Sequence, residues 1–134
     1  MKREGQGTMA RTIKDIMAEA RQGLLELTPT QARARLDAGD AVFIDVRDGL
    51  EVQKSGKVPG AIHASRGMLE FALDPAGPMH DPRISSGKTL VFYCASGGRS
   101  ALASRTAREM GYDDVCHIGG GFGAWVGDGQ PTEG

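Results

Sequence analysis

Tyr93-Cys94-Ala95-Ser96-Gly97-Gly98-Arg99-Ser100 is the stretch on which the reading of this chain turns. Thr89-Leu90-Val91-Phe92 before it is a short apolar run, the pattern of a buried strand. Ala101 to Met110 after it reads as a helix closed by Gly111. A cysteine therefore leaves a strand, a glycine-containing loop wraps round it, and a helix begins. Such a loop turns backbone N–H groups inward, and the helix adds its positive end. The cradle favours an anion, and a thiolate is one, so the Cys94 pKa is expected well below the free value of ~8.5. Arg99 places a second cation nearby. On the cysteine alone, a small buried hydrophobe at a strand end is the ordinary reading. Cysteine, Gly-Gly, Arg-Ser and a helix together favour an activated sulfur nucleophile beside an anion pocket. Gly97 and Gly98 suit a loop with unusual backbone angles.

Upstream, Met1 to Arg11 is polar and reads as a flexible leader, with an alternative start at Met9. Thr12 with Asp15 resembles a capping box, and Ile13, Ile16, Met17, Ala20 and Leu24 recur at helical spacing. Thr28-Pro29-Thr30-Gln31 starts a second helix, with Pro at its first position, that ends near Gly39. Ala41 to Val46 is a short apolar strand carrying Asp45 near its end, and a buried Asp needs partners. Asp48 to Ser55 reads as a short helix, Ile62-His63-Ala64 as a short strand, and Arg66 to Leu73 as a helix. Asp74 to Gly87 is a long connection with Pro75, Pro78 and Pro82; it either borders the pocket or is a plain surface loop. Asp114 to Ile118 is the last strand, and Phe122 and Trp125 pack a C-terminal helix. Short strands alternating with helices give an α/β sandwich around a mainly parallel sheet.

At 134 residues, 40% of them hydrophobic, the chain suits one domain with a real core. A formal net charge of -1 points to neither nucleic acid nor a membrane surface. No run is long enough to span a bilayer. Charged residues interrupt the N-terminus where a signal peptide needs an apolar core, so a cytoplasmic location is the default expectation. Two cysteines, Cys94 and Cys116, make no disulfide framework, and with His63, His80 and His117 they show no zinc spacing. Gly87-Lys88-Thr89 ends like a P-loop, but Pro82 stands where that motif needs glycine. Gly119, Gly121 and Ala124 mimic a dinucleotide fingerprint with too little chain after them. No metal or organic cofactor is implied, and no local motif suggests a Ser-His-Asp set.

The loop Cys94-Ala95-Ser96-Gly97-Gly98-Arg99-Ser100 resembles the Cys-x-x-Gly-x-Arg-Ser loop of the rhodanese-like domain family, in its single-domain sulfurtransferase form. Ile44-Asp45-Val46-Arg47 is similar to that family's early strand and its Asp-Val-Arg end. Gly56-Lys57-Val58-Pro59-Gly60-Ala61 is similar to its Gly-His-Ile-Pro-Gly-Ala segment, with Lys57 in place of His. Gly119-Gly120-Gly121-Phe122-Gly123-Ala124-Trp125, followed by Gly129 and Pro131, resembles its C-terminal pattern. The resemblance implies a rhodanese-like three-layer sandwich over residues 27–134, preceded by an extension, residues 1–26, with one added helix. It implies Cys94 as the catalytic residue, with Ala95, Ser96, Gly97, Gly98, Arg99 and Ser100 as the substrate-binding loop. Asp45 and Arg47 are then structural support, with a catalytic role for the Asp45 carboxylate as the lesser alternative, and Glu51 falls where the family often carries an acid.

The implied reaction takes sulfane sulfur from a small sulfur-containing anion such as thiosulfate. Cys94 carries it as a persulfide, and cyanide, a thiol or a protein acceptor removes it. Arg99 either steers the anion or braces the loop. Ser100 caps the helix and can turn its hydroxyl to the sulfur. One alternative is a persulfide carrier that docks a partner through the added helix. Another is a cysteine phosphatase or arsenate reductase. The phosphatase signature has five residues between Cys and Arg, whereas here only Ala95, Ser96, Gly97 and Gly98 intervene. Cys116 is the only candidate resolving thiol for an arsenate role.

Overall fold

A computed structural model describes residues 10–134; the polar leader up to Met9 lies outside them. Among these residues five strands form one sheet: β1 (Leu25–Leu27), β2 (Ala41–Asp45), β3 (Ile62–His63), β4 (Thr89–Tyr93) and β5 (Val115–Ile118). Their order is β1-β5-β4-β2-β3, and every pairing between them is parallel. Among the described residues six α-helices accompany them: α1 (Ile13–Arg21), α2 (Pro29–Ala38), α3 (Gly49–Ser55), α4 (Leu69–Leu73), α5 (Gly98–Glu109) and α6 (Gly121–Gly127). A 3₁₀ turn, Arg66–Met68, leads into α4. Among the described residues no helix is long and apolar enough to cross a membrane.

Alternation along the strands divides the core in two. Ile44, Leu90, Phe92 and Cys94 pack with Leu69 and Leu73 of α4 and Ala103 and Ala107 of α5. Phe43, Val91, Tyr93, Cys116 and Ile118 pack with Ala32 of α2 and Phe122 and Trp125 of α6. The sheet is thus sandwiched between helical layers, as expected. The small side chains of Ala103 and Ala107 let α5 approach the sheet closely.

Local chemistry explains the ends of the elements. Thr28 and Gln31 complete a reciprocal capping box at the start of α2, and Gly39 closes that helix at φ +69°. At α1 only half of the expected box forms, with Thr12 Oγ1 accepting from the Asp15 N–H at 3.1 Å. α1 lies along α5: the Arg108 guanidinium donates to the Ala20 carbonyl at 2.9 Å, and Arg105 faces Glu19 at 3.5 Å. β1 was not expected from the sequence. It is three residues long and shows no alternation of its own, because Leu25 and Glu26 are exposed and only Leu27 is buried. The sheet therefore begins two residues before the expected boundary at residue 27.

The topology creates one special place. From β2 the chain moves outward to β3; from β4 it moves the opposite way to β5. The carboxyl ends of β2 and β4 flank the point where the strand order reverses, where open α/β sheets form their ligand crevices. Cys94 follows β4 there, and Asp45 ends β2.

Candidate active site

Cys94 leaves β4 fully buried, and its loop turns straight into α5. Its Sγ accepts the Gly97 N–H at 3.1 Å and the Ser100 N–H at 3.4 Å, and lies 3.6 Å from Ser100 Oγ. Burial pushes the thiol pKa up. The hydrogen bonds from Ser100, Gly97 and Ser96 outweigh it, so the pKa lies below its ordinary value. Ser96 is exposed and Ala95, Gly98 and Arg99 are half-buried, so the outer rim of the loop faces solvent. Gly97 takes φ +120°, where a side chain would strain the backbone. Gly98 needs no such freedom: it is the first residue of α5. Ser100 is not the cap expected of it. It lies inside the first turn, and its hydroxyl points back to the sulfur and to the sheet.

The amino end of α6 fixes the loop from outside. Phe122 N–H donates to the Cys94 carbonyl at 2.7 Å, and Gly123 N–H to the Ala95 carbonyl at 3.0 Å. This approach needs Gly121 bare: a Cβ there would sit 2.4 Å from the Cys94 carbonyl oxygen. The C-terminal glycines thus build the wall of the loop.

Arg99 is held by Glu51 of α3 through two hydrogen bonds, at 2.7 and 3.0 Å. The geometry makes Arg99 a brace between α5 and α3. The guanidinium hydrogen bond, aided by the Asp48 N–H, brings the Glu51 carboxyl down to about 2. A depressed carboxyl stabilises the fold above its ordinary pKa of 4.5, and that contribution is lost as pH falls towards about 2. The pair is about one-third exposed, so its contribution is below about 1 kcal/mol. Glu51→Gln is expected to lower the melting temperature slightly at neutral pH and to lose less than wild type on acidification. Parallel pH–stability curves would contradict this.

Asp45 and Arg47 are both buried. The Arg47 guanidinium donates to the Asp45 carboxylate at 2.7 and 3.0 Å, to Ser55 Oγ at 2.9 Å and to the Gly56 carbonyl at 2.6 Å. Its central carbon stands 4.1 Å from the centre of the Phe122 ring. This pair ties β2, α3 and α6 together beside the Cys94 loop. Arg47 engages both oxygens of the Asp45 carboxylate, which leaves a catalytic role for that carboxylate without support.

The remaining sequence candidates have other partners. Lys57 Nζ donates to the Ala61 carbonyl and to Glu133, closing the C-terminus onto the domain. His63 Nε2 lies 2.7 Å from the Arg47 carbonyl. Cys116 packs on the face of the sheet opposite Cys94, and burial raises its thiol to about 11. That is no setting for a resolving thiol. In the 74–87 connection, Ile84, Ser85 and Gly87 line a cleft with Leu90 and Tyr112, at the amino end of β4. That part of the connection therefore lies at the opposite end of the sheet from Cys94 and does not border its loop.

One constellation was missed. His117 of β5 is fully buried, with Nδ1 2.9 Å from Ser100 Oγ and Nε2 2.9 Å from Glu26 Oε2. The available signal was a histidine inside the apolar run Val115-Cys116-His117-Ile118. Cys116 and Ile118, its neighbours in that strand, fill the opposite core, and His117 turns towards α5.

A buried cysteine with N–H donors around its sulfur, at the reversal point of a parallel sheet and in a loop braced by an arginine, marks an α/β domain with a crevice at the carboxyl ends of β2 and β4. The chain belongs to the rhodanese-like domain family, whose model matches residues 28–128. It is 32% identical over 105 residues to the mouse thiosulfate sulfurtransferase/rhodanese-like domain-containing protein 3, covering 75% of this chain and 67% of the mouse protein. It is 30% identical over 126 residues to the probable adenylyltransferase/sulfurtransferase MoeZ of Mycobacterium tuberculosis, covering 89% of this chain but only 29% of that protein. A solved structure from Rhodopseudomonas palustris, RPA3614, superposes with a TM-score of 0.87 at 45% identity, covering 96% of this chain and 98% of the other. That protein is described as of unknown function and a possible tyrosine phosphatase.

Proposed function

We propose that this protein is a sulfurtransferase that moves sulfane sulfur from thiosulfate, or a similar anionic donor, to a thiophilic acceptor through a Cys94 persulfide. The observation that carries this reading is the ring of N–H groups from Gly97 and Ser100 around a buried Cys94 Sγ whose pKa is lowered. Membership of the rhodanese-like family and relatives named sulfurtransferases support it.

In the first half-reaction the Cys94 thiolate attacks the outer sulfur of the donor. A new S–S bond forms, the donor's S–S bond breaks, and sulfite departs with the electron pair. In the second, cyanide or a thiolate attacks the outer sulfur of the persulfide. Thiocyanate or a new persulfide leaves, and the Cys94 thiolate returns. The N–H ring stabilises negative charge at the sulfur in both steps. Arg99 contributes by holding the ring in shape, since Glu51 occupies its hydrogen-bonding edge.

The description of RPA3614 raises a phosphatase reading, and two features of the loop weigh against it. Only four residues separate Cys94 from Arg99, a tight ring for a tetrahedral oxyanion, and Arg99 is committed to Glu51. Initial rates with thiosulfate and cyanide varied together should give parallel double-reciprocal lines, with no turnover of aryl phosphates. Intersecting lines would rule out the two-step route. Phosphate release without thiocyanate formation would favour the phosphatase.

A further inference from the structure

His117 and Glu26 take no part in the two half-reactions, yet they stand directly behind the sulfur. The contacts run Cys94 Sγ to Ser100 Oγ at 3.6 Å, Ser100 Oγ to His117 Nδ1 at 2.9 Å, and His117 Nε2 to Glu26 Oε2 at 2.9 Å. The first three groups are buried. Glu26 is half-exposed, so the chain of contacts connects a buried sulfur to solvent.

Proton counting restricts what this chain can be. An ionised carboxylate only accepts, so His117 Nε2 carries a proton directed at Glu26. Nδ1 then accepts from the Ser100 hydroxyl, unless the ring holds a second proton. A serine hydroxyl has one proton and two lone pairs, and the Gly97 carbonyl at 3.2 Å is a further acceptor for that proton whenever the ring holds its own. While Ser100 donates to His117, its oxygen is free to accept the Cys94 S–H. Shifting one proton along the first two contacts, from sulfur to Ser100 and from Ser100 to His117, gives the other complete arrangement: a thiolate accepting from Ser100, and an imidazolium donating to Ser100 and, through its unmoved Nε2 proton, to Glu26. Each step breaks one bond to hydrogen and makes another, and no group loses its partner in either state.

We propose that Ser100, His117 and Glu26 form a relay that accepts the Cys94 thiol proton onto His117, making His117 and Glu26 positioning residues for the nucleophile. This rests on the sulfurtransferase reading, and supplies it with the base that readies the sulfur. His117 is held below its usual pKa by burial, against the opposing hydrogen bond and charge of Glu26. At neutral pH the ring is therefore free to receive a proton. The charged groups around the relay are Glu26 on β1, Arg21 at the end of α1, 3.9 Å from Glu26, and the Arg99–Glu51 pair that braces the Cys94 loop. Glu26 belongs to the residues expected to form an extension ahead of the domain, so β1 brings that segment into the site.

The test is the pH dependence of Cys94 alkylation by iodoacetamide, in wild type, His117→Asn and Glu26→Gln. In wild type the relay gives the Cys94 proton an acceptor, so the thiolate is reached at lower pH than without it. Both substitutions are expected to move the midpoint of alkylation to higher pH. On the acid side, a midpoint higher by about one pH unit slows alkylation about tenfold. A role in packing alone would lower the melting temperature and leave the midpoint in place. Should His117→Asn not fold, Glu26→Gln changes a half-exposed side chain. Nitrogen NMR of the wild-type ring gives an independent reading: the His117 midpoint should fall when Cys94 is capped as a methyl disulfide. Unmoved midpoints in the variants, or the same His117 midpoint before and after capping, would overturn the relay. Neither readout needs a sulfur donor. Higher midpoints in the variants without sulfur uptake by the wild type would therefore sink the sulfurtransferase reading and leave the relay standing.

Discussion

Asp45→Ala is expected to destabilise the protein by about 3–5 kcal/mol, the cost of leaving one member of a buried ion pair without its counter-charge. Arg47 would remain buried, held by Ser55, the Gly56 carbonyl and the rings of Phe122 and Tyr93, with no anion beside it. A guanidinium does not escape by losing its proton. It must stay charged in an apolar setting or tear open the junction of β2, α3 and α6. Urea denaturation followed by tryptophan fluorescence reads this directly, because Trp125 is buried in the core on that side. A loss smaller than about 1 kcal/mol would mean that water reaches Arg47 and that the pair is a surface one in effect.

Gly121→Ala carries the second large effect, and it falls on the loop itself. The new Cβ would lie 2.4 Å from the Cys94 carbonyl oxygen and 2.7 Å from the Ala95 carbonyl, at φ +64°. Neither obstacle is a flexible side chain. The Cys94–Ala95 backbone has to move, and with it the ring of N–H groups around the sulfur. A displacement near 1 Å at a reacting atom costs about 10²-fold in rate, so sulfur loading from thiosulfate should fall by about that factor. Gly127→Ala is the matched control: a Cβ there meets nothing within 4 Å, and no positive φ is involved. Equal loading by both variants would show that the wall built by α6 is not needed.

How much of this was legible in the sequence depended on whether the cause was local. The loop was legible because its parts are adjacent: strand, cysteine, glycines and helix follow one another from Thr89 to Glu109. Capping at Thr28 and the turn at Gly39 were legible for the same reason. β1 was not. A three-residue edge strand is made by its pairing with Cys116, His117 and Ile118, some 90 positions away, and not by its own pattern. Arg99 stayed ambiguous between steering and bracing until α3 placed Glu51 against it. His117 and Glu26 were passed over because no spacing rule joins positions 26, 100 and 117; only the order of β1, β5 and β4 brings them together. The end of Asp74–Gly87 could not be assigned for a similar reason: where a connection runs is decided by what its buried residue, here Ile84, packs against.

The account is most directly tested by the intact mass of the protein after incubation with thiosulfate, beside Cys94→Ser and a cyanide chase. It predicts a gain of one sulfur atom in the wild type, absent from the variant and removed by cyanide. A wild type that gains no sulfur from thiosulfate, or from a persulfide or mercaptopyruvate donor, would contradict it.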